Sequence, residues 1–377
     1  MSGVNPVVMI QMLMNYHQQG LDSTAKRYFM PRTFAFQHNN RMRVHRETED
    51  ETKRRKSRLD VSTCKAAERV IRSQLEKTLK GIIGKVWIDP DLERVAVPLE
   101  TATGNSGFGI LPTGSRIKIP EGKFIRAFTY WEKVNDIDLS VFALTEKGEQ
   151  EEFSWRNMYR KQGTDITYSG DQTSGYEGGS EYFDINVQEF AAIHPEYRYL
   201  IFCNNVYSGI DFSECECYAG FMIREEDPKK VPSWKGERET NVPLFNGEKD
   251  RDILAGEIFD PKTVQTSYRI DNKGTFSYLF AIDLETREMV WLNIMRSDRV
   301  RVAGTTGVDW LTKYLNMVDV FNLRDLYSMA GTLVYSAQNA DVIVSDRNVS
   351  TFSDNPSIEY VHSWDFEKML SLLQSGS

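Results

Sequence analysis

Four acidic residues in two short segments carry the clearest chemical signal in this chain of 377 residues. Asp136 and Asp138 sit two apart in Asn135-Asp-Ile-Asp-Leu-Ser-Val-Phe-Ala-Leu144. On a strand, where side chains alternate, both point to one face. About thirty residues on, the glycine-rich stretch Tyr168-Ser-Gly-Asp-Gln-Thr-Ser-Gly-Tyr-Glu-Gly-Gly-Ser-Glu181 brings Asp171 and Glu181. If the segments meet, the four carboxylates, with carbonyls turned inward at the glycines, form a set of hard oxygen ligands suited to calcium, which takes roughly six to eight. Plainer readings stand beside this one. Asp136 and Asp138 suit the solvent side of a strand edge, Asp171 suits an Asx-turn, and Glu181 suits a strand start facing water. Asp184 alternates away from Glu181 and is a weaker candidate.

No other chemistry competes. The histidines His17, His38, His45, His194 and His362 fall in neither H-x-x-x-H nor H-E-x-x-H spacing, so catalytic zinc is not expected. There is no G-x-S-x-G, P-loop or G-x-G-x-x-G, and Gly104-Asn-Ser-Gly-Phe-Gly109 lacks the lysine and helix context of a phosphate loop. Cys64, Cys203, Cys215 and Cys217 form no C-x-x-C pair; they read as reduced thiols near a core, in keeping with a cytoplasmic protein. No apolar run reaches the length of a membrane span. A net charge of −8 argues against a dedicated nucleic-acid binder. Residues 41–58 run the other way, with eight basic residues against four acidic, a local charge of +4. That segment reads as a solvated loop; as a docking site for an anionic partner it lacks interleaved aromatic stacking platforms.

The elements that would position these residues follow from periodicity. A helix is expected over 5–20, irregular chain over 21–58, and a second helix from a cap at Asp60 or Ser62 to Gly81 or Gly84. From Lys85 the period changes to two. Short strands separated by turn residues then run from Val86–Ile88 to Met289–Met295, the pattern of an antiparallel β-sandwich. The Pro-, Lys- and Glu-rich stretch 227–252 reads as an insert. After Asp309 the period is helical again, with helices expected near 310–321, 323–337 and 363–373. The domain reading is a helical N-terminal region 1–84 containing the basic loop, a mainly β sandwich 85–300, and a helical C-terminal region 301–377.

Two of these segments also carry a family likeness. Asp136-Ile-Asp-Leu-Ser-Val-Phe-Ala-Leu144 resembles the D-x-D-x-S-x-F-x-L strand of the TerD (tellurium-resistance) family, and Tyr168-Ser-Gly-Asp171 resembles its H-S-G-D turn. Longer bacterial TerD-related proteins show further elements in the same order. Here these are Lys85-Val-Trp-Ile-Asp-Pro90, Val97-Pro-Leu99, Gly114-Ser-Arg-Ile-Lys-Ile-Pro120, Phe259-Asp-Pro-Lys-Thr-Val264 and Leu323-Arg-Asp-Leu326. The resemblance implies a calcium-binding β-sandwich flanked by helical regions. It implies a non-enzymatic binding or scaffold role with protein partners in a bacterial stress-response or defence system. The chain departs from the family in one place. Glu177-Gly-Gly-Ser-Glu181 has glycine and serine where the family carries consecutive aspartates, which implies one weak calcium site through Asp136, Asp138, Asp171 and Glu181. Two other readings remain: a structural or assembly protein that keeps the sandwich and has lost calcium, docking through 41–58 or 227–252 and able to self-assemble, and a nucleic-acid-associated module using 41–58.

Overall fold

The computed structural model describes residues 4–21, 33–38, 41–46, 60–97, 111–157, 163–173, 175–208, 211–225, 266–270, 274–296, 321–348 and 357–375, with a few residues between them. The 227–252 insert, the Phe259–Val264 element, the 101–109 loop and most of the helix expected over 310–321 lie outside these residues.

The chain begins with helix α1 (Pro6–Leu21), then strands β1 (Thr33–His38) and β2 (Arg41–Arg46). These strands pair antiparallel, where the sequence suggested irregular chain. The first third of the basic segment is therefore a strand; 52–59 lie outside the described residues. Helix α2 (Val61–Leu79) starts at the expected cap, where the Asp60 side chain accepts from the Thr63 N–H. Its buried face is Cys64, Ile71, Leu75 and Leu79, spaced at seven, four and four as one helix side requires. Strand β3 (Lys85–Ile88) follows.

Next come β4 (Arg116–Lys118), β5 (Phe124–Glu132), β6 (Asp136–Thr145), β7 (Gln150–Phe153), β8 (Ile166–Tyr168) and β9 (Gly179–Ile185). After helix α3 (Val187–Ile193) come β10 (Tyr197–Ser208), β11 (Glu216–Arg224), β12 (Thr266–Ile270), β13 (Phe276–Asp283) and β14 (Glu288–Arg296). They form two antiparallel sheets, ordered β4-β14-β13-β10-β6-β7 and β12-β11-β5-β9-β8. Ile137, Leu139 and Val141 of β6 join Leu200 and Phe202 of β10, Trp131 of β5, Phe183 of β9 and Phe221 of β11 in one core. Two sheets contributing inward residues to a shared core is what a sandwich requires. The alternate residues Phe142, Leu144, Tyr199 and Ile201 form a second cluster on the other face of the six-stranded sheet, with Leu311 and Leu315 against them. This double burial explains why β6 and β10 read as nearly continuous apolar runs.

The C-terminal region holds helix α4 (Leu323–Ala330), strands β15 (Thr332–Leu333), β16 (Val342–Val344) and β17 (Glu359–Val361), and helix α5 (Phe366–Ser375). It is therefore not purely helical. Its strands join β3 in a parallel sheet ordered β15-β3-β16-β17. So β3, expected to open the sandwich, belongs to a separate sheet completed from the other end of the chain. The helix expected over 323–337 stops at Gly331, where an added Cβ would lie 2.6 Å from the Gly84 carbonyl. The two antiparallel sheets leave and re-enter this α/β unit at one place. Val97 N–H donates to the Phe321 carbonyl at 2.9 Å, and Leu323 N–H to the Val95 carbonyl at 2.9 Å. Arg116 ties the regions further through its N–H, which donates to the Arg94 carbonyl at 3.1 Å; its guanidinium pairs inside the six-stranded sheet, 3.3 Å from Glu288 and 3.6 Å from Asp283, behind a turn at Gly114 with φ +88°.

No described helix is long and apolar enough to cross a membrane. All four cysteines are buried and unbridged.

Candidate metal centre

The pairing of β6 decides where the acidic residues point. Strand β10 runs along its whole length, but β7 pairs only with Val141–Leu144. The first half of β6 therefore has an open edge. Ile137 and Leu139 turn into the core, so Asp136 and Asp138 turn to the other face. The loop between β8 and β9 crosses this edge and delivers Asp171. Carboxylate oxygens of Asp136, Asp138 and Asp171 all lie within 4.8 Å of one another. The segments that sequence alone left apart thus meet.

Hydrogen bonds near both ends hold the loop in place. Ser169 and Tyr182 exchange bonds, Ser169 N–H to the Tyr182 carbonyl at 2.9 Å and Tyr182 N–H to the Ser169 hydroxyl at 3.0 Å. Gly175 N–H donates to the Asn135 carbonyl at 2.7 Å, and Lys133 N–H to the Tyr176 carbonyl at 2.8 Å. The glycines serve packing more than carbonyl reorientation. A Cβ on Gly175 or Gly179 would lie 2.7 Å or 2.6 Å from the buried Trp131 indole. Gly170 and Gly178 have φ of +102° and +129°, a region open to glycine.

Glu181 stands apart from the three aspartates. It alternates with Phe183 and Ile185 into the interior, and it is 0% exposed. One carboxylate oxygen accepts the Leu139 N–H at 2.7 Å, the donor left over at the open edge of β6, and the other accepts the Gln172 N–H at 3.0 Å. It braces the loop that carries Asp171 and lies outside the ligand group itself. The sequence hinted at this in one way: Glu181 is in phase with two core residues.

The three aspartates sit close enough to disfavour one another's charge. Burial, then the Asp138 and Asp171 charges, push the Asp136 carboxyl up to about 7. Burial raises Asp138 to about 6, against a hydrogen bond from Asn205 and the charge of Arg156. Burial also raises Asp171, and it holds Glu181 well above the ordinary carboxylate range. Asp136 is 5% exposed and its Oδ1 has no hydrogen-bond partner. Asn205, opposite Asp138 on β10, donates to it at 3.2 Å; this partner is invisible in sequence because it depends on register. Among the described residues no Lys, Arg or His forms an ion pair with Asp136, Asp138 or Asp171. Repelling, half-desolvated carboxylates with an unpartnered buried oxygen match the donor chemistry of a hard divalent ion.

Comparison of the chain with protein-family models, with curated proteins and with solved structures returned no match.

Proposed function

We propose that Asp136, Asp138 and Asp171 hold one calcium ion, and that the protein is a non-enzymatic binding or scaffold protein whose loop 169–178 is fixed by that ion. The observation that carries this reading is the meeting of the three carboxylates with the buried Asp136 Oδ1 left without a partner. Hard oxygen donors suit calcium, and three carboxylates supply at most six of the six to eight oxygens it takes. The remaining positions fall to carbonyls, water or a ligand. Two antiparallel sheets over one core, with the D-x-D strand and the Ser-Gly-Asp turn in contact, support the TerD-like reading of the fold and, with it, a role in bacterial stress response or defence in the cytoplasm. Glu181 acts here as the brace of the loop and not as a direct ligand.

Thermal unfolding with and without calcium tests the proposal. An ion that binds only the folded chain raises the midpoint in proportion to the logarithm of its concentration. The expected result is a rise with calcium for the native chain and none for Asp171→Ala. An unchanged midpoint at millimolar calcium would overturn it.

A further inference from the structure

Strands β1 and β2 pair with each other, and among the described residues they join no other sheet. Their register sorts the residues of this ribbon onto two faces. Phe34 lies opposite His45, Phe36 opposite Arg43 and His38 opposite Arg41. Opposed positions of an antiparallel pair share a face, and so do positions two apart on one strand. One face therefore carries Phe34, Phe36, His38, Arg41, Arg43 and His45. The other carries Thr33, Ala35, Gln37, Met42, Val44 and Arg46. The second set holds the small and aliphatic residues that a ribbon can lay on its own protein. Laying the first set there would take two arginines out of water. That is costly without paired acids, and neither strand contains an acid. The sequence alone showed no aromatic among the cations of 41–58; the register supplies two from β1.

Charge and ring chemistry together select the partner. Residues 1–84 hold sixteen Lys and Arg against eight Asp and Glu, counting the acids at 47 and 49–51 that follow the ribbon. That is a charge of +8 within a chain of net charge −8, so the remainder carries −16. Helix α2 exposes Lys65, Arg69, Lys77 and Lys80, and Glu76 is its one exposed acid. Such a region attracts a polyanion and needs no rings to do so. Two phenylalanines sharing a face with arginines add stacking platforms, at positions about 7 Å apart along one strand, for successive bases of an extended chain. An acidic peptide offers no planar face for them. A duplex keeps its bases stacked on one another, so the platforms suit a single strand. We propose that the β1–β2 ribbon binds single-stranded nucleic acid, with bases on Phe34 and Phe36 and phosphates on Arg41 and Arg43. The proposal does not depend on the calcium reading.

The test is fluorescence anisotropy of the full chain with labelled oligothymidylate, oligouridylate and a DNA duplex of equal length, each titrated over a range of salt. Tighter binding of at least one single strand than of the duplex is expected, and the better of the two tells DNA from RNA. Phe34→Ala or Phe36→Ala should weaken that binding about tenfold, as loss of one stacked base implies, with its salt dependence unchanged. Arg43→Gln should instead flatten the slope of log affinity against log salt by about 0.7, the value of one phosphate contact on a single strand. Arg46→Gln, on the other face, should change neither as much. Phe36→Trp keeps a ring in place and should bind like the native chain, so the test survives if the smaller residue unfolds the ribbon. No binding of either single strand at low salt would overturn the proposal. Equal binding of the duplex, or native affinity in Phe34→Ala and Phe36→Ala, would overturn it in favour of a general polyanion surface. Loss of binding in Phe36→Trp at an unchanged melting midpoint would overturn it as well, and an effect of Arg46→Gln equal to that of Arg43→Gln would overturn the choice of face.

Discussion

At the scale of single residues, the acidic cluster makes opposite demands on the protein according to whether a cation is bound. An ordinary Asp titrates near 4 in an unfolded chain, whereas Asp136 titrates at about 7 and Asp138 at about 6 in the fold. A carboxyl raised in this way favours folding fully below the unfolded value, and that contribution is lost as pH rises through the folded one. The calcium-free protein should therefore lose stability from this site between about pH 4 and pH 7. Calcium bound as proposed would reverse the sign, because it binds the ionised form. Melting midpoints taken in EGTA across this window should fall further for the native chain than for Asp136→Asn. The variant should gain nothing from calcium at pH 7.5, where the native chain gains most. Glu181 makes a separate prediction. Glu181→Ala strands the buried Leu139 N–H and the part-buried Gln172 N–H, and should cost about 1–3 kcal/mol in urea denaturation. Glu181→Gln keeps one acceptor in place and should cost less. If Glu181→Ala unfolds at the native urea midpoint, the brace role is wrong.

At the scale of elements, the loop 169–178 works by fitting against a ring. Trp131 occupies the place where side chains at positions 175 and 179 would go. Gly179→Ala should thus displace either the indole or the loop, costing about 1–3 kcal/mol by overpacking. It should also weaken calcium binding, although it touches no carboxylate. Isothermal titration beside a urea melt separates the two effects. Part of this was legible in sequence. Period-two alternation located β5, β6, β10 and β13, and the cap at Asp60 located α2. The spacing of Asp136 and Asp138 gave a common face, and the Ser-Gly-Asp turn gave the partner segment. The role of Glu181 was not legible, since it depends on β7 ending before it reaches Leu139. Nor was the pairing of Asn205 with Asp138, which is set by strand register. The β1–β2 hairpin was hidden because β2, Arg-Met-Arg-Val-His-Arg, alternates its apolar residues with Arg and His, whose charges read as loop.

At the scale of the whole molecule, the chain is an α/β unit made from both ends, with the two antiparallel sheets set between them. Periodicity could not show this. The strand β3 is four residues long, β15 only two, β16 and β17 three each, and parallel neighbours from opposite ends of a sequence leave no local trace. The arrangement has a consequence for truncation. Strand β3 has β15 and β16 as its two neighbours, and α1 and α2 pack on a core that includes Leu323, Leu326, Met369 and Leu373. Removing residues 321–377 leaves β3 with two unpaired edges and takes the apolar faces of α4 and α5 from the N-terminal helices. The antiparallel sheets keep all their strands, and the aspartate cluster lies wholly within them. The truncated chain should therefore be cut rapidly by trypsin within residues 1–97, while the strands of 111–225 and 266–296 stay protected as one folded fragment. That fragment should still melt at a higher temperature in calcium. Protection of the first 97 residues in the truncated chain would mean that the N-terminal helices fold without the C-terminal strands, and the α/β unit would not be the cooperative body its sheet order implies.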